Sequence, residues 1–482
     1  MQTINKPLVI STVLGALTIF NSPANALDKP KTMEDMWKII QAQQKQIDEM
    51  SAKLAAPASK PADVAASPGV GNVAASSVQS TEGSKVKTLE RKTDILSQEV
   101  EKLRTNLAIP EEAKYKSAYG LGPAASKVYA AGKGLSIGGY GEGSYQAKVG
   151  DKGDSNDTVD LARIVLYTGY KFTDNILFNS ELEYEHATTG EGSEEKGEVS
   201  VEFASLDFFW DSHVNARAGL MLMPMGFINR IHEPLFYFGN QRPLVERRII
   251  PSTWGEFGAG LFGAITPNLT YTAYVVNGLD AKNFSSDGIR EGRGGGSNSL
   301  AENFGYVAHL EYVPEVLPGM SVGGSAYVGN SGQNQQFAGQ QANVFTQLYE
   351  GHLQWKYKGL ELRGLGSWGH INNADLVSAS VGEVVGSQNY GWYTEAGYDI
   401  LPLLLPETSQ YLAPFFRYEK LDTVAKAPLG YDDDKSKDWQ IIQFGLQYKP
   451  IPNVVIKTDY RNFSAKEGKL ADDFNLGFGL IF

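Results

Sequence analysis

The segment Asp472 to Phe482 (DDFNLGFGLIF) places Phe474, Leu476, Phe478, Leu480 and Phe482 at every second position, with Asp473, Asn475, Gly477, Gly479 and Ile481 between them. Successive side chains of a strand point to opposite faces, so this pattern predicts a strand with one apolar face and one small or polar face. The same period recurs upstream. Phe178, Leu182 and Tyr184 stand against Glu181, Glu183 and Glu185. Ile442, Phe444, Leu446 and Tyr448 stand against Ile441, Gln443, Gln447 and Lys449. Val454, Ile456 and Tyr460 stand against Lys457, Asp459 and Arg461. A strand charged on one face and apolar on the other needs water on the first side and lipid or core on the second.

Sixteen such segments are predicted from residue 133 onward: 135–147, 158–171, 175–187, 197–210, 214–222, 256–265, 269–277, 304–313, 320–329, 343–357, 359–370, 388–400, 408–419, 438–449, 453–463 and 472–482. The connections alternate between short turns, such as Phe172-Thr173-Asp174, and long loops, such as 223–255 and 278–303. That alternation predicts an all-β, antiparallel, sixteen-stranded transmembrane barrel, with turns facing the periplasm and loops facing outward. A barrel of this size encloses an aqueous channel rather than a packed interior. An even strand count puts both barrel ends on the periplasmic side, and the last strand is expected to close onto the first.

The period changes before residue 133. Residues 1–26 carry Lys6, an apolar stretch from Leu8 to Phe20 and Ala24-Asn25-Ala26, the pattern of a secretory signal peptide. Residues 27–54 hold a heptad pattern, with Met33, Ile40, Ile47 and Leu54 at one position and Met36, Gln43 and Met50 at the other. A second stretch, 82–110, repeats Val86, Thr93, Val100 and Leu107 against Leu89, Leu96 and Leu103. Both predict an α-helical coiled coil preceding the barrel. The Ala/Pro/Ser-rich linker 55–81 between them is expected to be disordered, and 111–132 is read as a connector.

Composition agrees with an exported barrel. The 482 residues include no cysteine but 52 Gly, 24 Tyr, 22 Phe and 7 Trp, so stability must come from burial and hydrogen bonding without disulfides. No internal run of about 18 apolar residues is present, so helical spans are not expected. The formal net charge of −12 argues against a nucleic-acid partner.

Candidate chemistry concentrates in the loop 223–255 (MPMGFINRIHEPLFYFGNQRPLVERRIIPSTWG). Leu235, Phe236, Tyr237, Phe238, Ile249 and Ile250 call for burial, which inside a barrel means against the inner wall. The same loop carries Arg230, His232, Arg242, Arg247 and Arg248 against Glu233 and Glu246, a net positive stretch in an acidic chain. A loop folded into a pore brings its charges close to permeating solutes, and guanidinium forks suit carboxylate and phosphate. Pairing with Glu181, Glu183, Asp207 or Glu246 is the competing role for these arginines. Arg217, Arg363, Arg417, Lys457 and Arg461 are secondary lumen candidates; Arg163 is a further one, on a strand of poor alternation. The spacing of His309 and His352 fits no metal-ligand pattern, so no metal site is expected. No nucleophile context surrounds His213, His232 or His370, so neither catalysis nor a cofactor is expected.

The segments DLARIVLYTGYKF, GEVSVEFASLDFFW, ARAGLMLMPMGFINRIHEP and NLGFGLIF resemble the phosphate-selective porin O/P superfamily of Gram-negative outer membranes. The chain is also similar to dicarboxylate-channel porins that carry an N-terminal coiled coil. The resemblance covers about residues 133–482. It implies a homotrimer with a constriction loop, a positively charged path and passive diffusion of small hydrophilic or anionic solutes. The partners it implies are outer-membrane lipid, further copies of the chain and, during insertion, the barrel-assembly machinery. A structural or adhesion protein, linking the barrel to the periplasm through the coiled coil, is the alternative expectation.

Overall fold

The computed structural model describes residues 116–482 other than 152, 154, 190–195 and 407. The expected signal peptide, both coiled-coil segments and their linker lie outside the described residues.

The described chain closes into one antiparallel barrel. Its strands are β1 (Gly134–Val149), β2 (Thr158–Lys171), β3 (Ile176–Glu185), β4 (Val199–Phe209), β5 (Asn215–Leu222), β6 (Gly255–Thr266), β7 (Leu269–Asn277) and β8 (Phe304–Tyr312). They continue with β9 (Met320–Asn330), β10 (Phe345–Tyr357), β11 (Leu360–Ile371), β12 (Gln388–Tyr398), β13 (Tyr411–Lys426), β14 (Asp438–Ile451), β15 (Val454–Ala465) and β16 (Asp472–Ile481). Each strand pairs with its sequence neighbours. β16 pairs with β1 from Tyr140↔Ile481 to Val149↔Asp472, which removes both sheet edges. Phe482 completes the seam by exchanging backbone hydrogen bonds of 3.0 Å with Gly139.

All sixteen expected strands are present, and their ends shift where the local pattern fades. β13 runs to Lys426 rather than 419 because Leu421, Asp422 and Lys426 still pair across the sheet, although here the apolar Leu421 and Val424 turn inward. Its start moves from 408 to Tyr411 because residues 401–404 (LPLL) take a helical turn. A two-stranded ribbon, Gln336–Phe337 with Gln340–Gln341, lies within a long loop.

The alternation sorts side chains as lipid and water demand. In β16, Phe474, Leu476 and Phe478 are 41–48% exposed on the outside, while Asp473 and Asn475 are fully buried. Leu166, Leu261, Leu310, Trp392 and Phe444 extend this apolar outer surface around the wall. Inside, Glu181, Asp207, Glu395, Arg417 and Lys457 are buried. Charges inside and hydrocarbon outside define a transmembrane barrel.

The interior is partly filled by chain. Residues Leu235, Tyr237, Phe238, Ile249 and Ile250 of the loop 223–255 are buried, as expected, and Phe236 is half-buried. Leu279, Phe284 and Ile289 of the next long loop are buried as well and join the same apolar cluster as Ile249 and Ile250. The segment read only as a connector also enters. Leu121, Ala124 and Ala125 pack with Tyr140, Val165, Tyr167 and Leu235. Glu233 fixes this segment by accepting hydrogen bonds from the backbone N–H groups of Ala124 and Ala125, at 2.9 and 3.3 Å.

Candidate functional site

Buried carbonyls must find donors, and the apolar stretch 236–239 brings four of them into the barrel. Cations of the wall meet them in turn. Arg363 donates to the Phe236 carbonyl at 2.9 Å, and Arg417 to that of Phe238 at 2.7 Å. The Lys457 ammonium donates to those of Tyr237 and Gly239, at 3.0 and 2.9 Å, and lies 3.9 Å from the Tyr237 ring centre. Three secondary lumen candidates are therefore anchors of the loop.

Most other charged candidates are paired. Arg217 grips Asp207 with two hydrogen bonds of 2.6 and 2.9 Å. Arg461 grips Asp473 in the same way, at 2.8 and 2.7 Å. Arg417 and Arg363 share Glu395. His232 is buried against Glu181 at 3.0 Å, which removes it from any solute path. Arg230 pairs with Glu311, and Arg248 with Asp287 at 2.7 Å while its guanidinium lies over the Trp439 ring. Among the described residues Glu246 bonds to no arginine. It accepts from the backbone N–H groups of Phe227 and Ile228, at 2.7 and 2.8 Å, and from the Tyr393 hydroxyl at 2.6 Å.

Such buried pairs gain little over apolar packing, but breaking one strands a charge. Arg417→Ala should therefore destabilise the barrel by about 3–5 kcal/mol, because Glu395 and the Phe238 carbonyl both lose a donor. The temperature at which the folded form converts to the unfolded form on a semi-native gel measures this.

Two loop arginines differ from the rest. Arg247 is exposed and makes no ion pair among the described residues. Arg242 has its Nε and Nη2 buried with no hydrogen-bond acceptor among the described residues. Both line a cavity of about 560 Å³ that extends to Ser155 and Leu470 in the long loops. Lys148, Arg163, Arg290, Lys457 and Arg461 join them around it, against Glu142, Asp160, Glu185 and Asp473. Arg247 reaches solvent in the cavity, yet desolvation by the chain around it and the guanidiniums of Arg242 and Arg248 push its pKa down; burial and the guanidiniums of Arg293 and Arg247 push Arg290 down to about 9. At about 9 Arg290 stays cationic at neutral pH, and a guanidinium such as that of Arg247 keeps its proton in proteins. A second cavity, of about 420 Å³, is lined by Arg230, Lys356 and Arg363 against Glu311. The loop stands between the two, with Pro234 and Tyr237 facing the first and Phe236 the second.

Arg290 was absent from the sequence-based candidates. It comes from the next long loop, where no period marks which residues turn inward. Arg163, of uncertain face in the sequence, points inward and lies 3.1 Å from Glu142 and 3.4 Å from Glu183.

Fold and cavity together define a sixteen-stranded transmembrane β-barrel with an inward-folded, arginine-bearing loop. The chain belongs to the same family as an uncharacterized protein of Aquifex aeolicus (strain VF5), to which it is 36% identical over 393 residues, 79% of this chain and 87% of that one. No family model matches. Among solved structures, the chain is similar to OmpF of Salmonella typhi in complex with daunomycin, with a TM-score of 0.49 and 14% identity over 72% of this chain and 97% of that one. It is similar to the outer membrane channel DcaP of Acinetobacter baumannii, with a TM-score of 0.47 and 14% identity over the same shares. It is also similar to an anion-selective porin from Comamonas acidovorans, with a TM-score of 0.44 and 10% identity over 72% and 99%.

Proposed function

We propose that this protein is a passive outer-membrane channel for small hydrophilic solutes that favours anions, phosphate and carboxylates among them, at a constriction formed by the loop 223–255. One observation carries the reading: Arg242 and Arg247 line the larger cavity as cations without a carboxylate bonded to them among the described residues. A neutralised guanidinium serves a wall; a free one serves a solute. The cavity holds seven cationic side chains against four acidic ones, so the net field there opposes the acidity of the whole chain. The paired Arg217, Arg363, Arg417 and Arg461 do not form a continuous ladder of free guanidiniums, which favours general anion preference over strict phosphate selectivity. On this reading the chain is a homotrimer in the outer membrane, with the coiled coil in the periplasm.

Purified protein in planar bilayers should give discrete conductance steps and, in a KCl gradient, a reversal potential of the sign for chloride preference. Cation preference rejects the anion reading. Absence of steps rejects the channel and leaves the structural or adhesion role.

A further inference from the structure

Three adjacent strands of the wall turn a small grid of side chains inward. Across β8, β9 and β10, the register places His309, Ser325 and Glu350 in one row. Glu311, Gly323 and His352 form the row two residues along. Gly323 at the middle of the second row matters because a Cβ there would lie 2.5 Å from His352 Nε2. Its absence lets Glu311 and His352 meet across β9. The Glu311 Oε2 atom is 3.2 Å from His309 Nε2 and 3.3 Å from His352 Nε2, and all three donor atoms lie within 4.8 Å of one another.

The outer partners fix the two rings. His309 Nδ1 lies 2.9 Å from Ser325 Oγ, and His352 Nδ1 lies 2.8 Å from Glu350 Oε2, so each ring can donate outward from Nδ1–H while its Nε2 faces Glu311. Ser325 Oγ donates in turn to Glu350 Oε1 at 2.6 Å. A metal ion bound at both Nε2 atoms would displace any proton held there towards Glu311. These donor atoms converge on one largely enclosed point, which calls for positive charge there. In this conformation Arg230 supplies it: its Nη1 donates to His309 Nε2 at 2.8 Å and to Glu311 Oε2 at 2.5 Å. Imidazole nitrogens oriented by a carboxylate or hydroxyl behind them are the usual ligands of transition metals. With bonds of about 2.1 Å, tetrahedral donors sit roughly 3.4 Å apart, close to the two spacings to Glu311.

We propose that His309, Glu311 and His352 form a binding site for a divalent transition-metal ion of the zinc or cobalt type, with Arg230 as the competing cation that holds the donors in its absence. Imidazole and carboxylate donors suit these ions over calcium or magnesium, and three protein ligands leave a position for water or a solute. The cavity of about 420 Å³ reaches Arg230 and Glu311 from one side; another of about 410 Å³ reaches Arg230 and His309. The spacing of His309 and His352 along the chain predicted no metal site; the register of three strands assembles one.

Titration of the detergent-solubilised full chain with Co²⁺, followed by its visible absorption and by competition with Zn²⁺, tests the site without any reference to permeation. One ion per chain is expected, with the absorption of a low-coordinate cobalt centre. Glu311→Gln and His352→Ala should each weaken binding at least tenfold. Glu350→Gln, one bond further out, should weaken it about 10–100-fold. Arg230→Ala, which leaves every ligand in place, should tighten it. Heat-modifiable migration of each variant verifies the folded barrel. The proposal is overturned if neither the wild type nor Arg230→Ala binds Co²⁺ or Zn²⁺, or if binding is unchanged in Glu311→Gln.

Discussion

Arg247→Ala is expected to lower the chloride-over-potassium permeability ratio about fivefold, while Arg248→Ala leaves it nearly unchanged. The two arginines are neighbours on one turn of the loop, Val245–Ile249, and the sequence offers no reason to separate them. Their surroundings do. Arg248 is neutralised by Asp287 and stacked on Trp439, whereas Arg247 faces the larger cavity and makes no ion pair among the described residues. A unit charge about 5 Å from a passing ion contributes roughly 3 kcal/mol at an effective dielectric of about 20. Mobile ions and the remaining cations of the cavity screen this, and about 1 kcal/mol is a factor of about five. Reversal potentials of the two variants in the same KCl gradient decide the matter. Equal effects of Arg247→Ala and Arg248→Ala would show that selectivity follows total loop charge and would remove any special role for Arg247.

The second large effect concerns the loop's clasp. Glu246→Ala should raise single-channel conductance and open-state noise together, because the carboxylate it removes ties two stretches of the loop to each other and to Tyr393 of the wall. The backbone N–H groups of Phe227, partly buried, and Ile228, buried, would lose their acceptor at up to about 1–3 kcal/mol each, and the Tyr393 hydroxyl of the wall would lose its partner on the loop. That exceeds what the short turn can recover by itself, so the loop should leave the lumen for part of the time. Gly226 offers an independent route. It sits at φ +69°, where a side chain is strained, and a Cβ there would collide with the same Glu246 carboxylate. Gly226→Ala should therefore also raise conductance without touching any charge. Current recordings at fixed salt check both, and unchanged conductance in Glu246→Ala would mean that the contacts of Arg363, Arg417 and Lys457 to residues 236–239 suffice to hold the loop.

Much of the barrel was legible in the sequence because a strand's two faces are a local property. Lipid outside and water inside impose a period of two that any ten-residue window carries. Phe474, Leu476 and Phe478 could be assigned to the outer face, and Asp473 and Asn475 to the inner, before any partner strand was known. The apolar content of residues 235–238 likewise announced a loop that had to be buried. The pattern faded where a strand turns its apolar residues inward, as at Leu421 and Val424, and where two regular faces are absent, as in the segment around Ala124.

The chain's own pattern thus determined the strand count, the closure, the outward face and the loop that enters the lumen. Only the tertiary structure decided what each inward charge does. Arg217, Arg417 and Arg461 look like pore residues in one dimension, yet each is matched to a carboxylate by strand register. His309 and His352 look unrelated along the chain, yet one glycine between them in space lets both reach Glu311. Facing is set by neighbours in sequence, whereas pairing is set by register and by loops folding back through the lumen. Those contacts join residues that share no local signal.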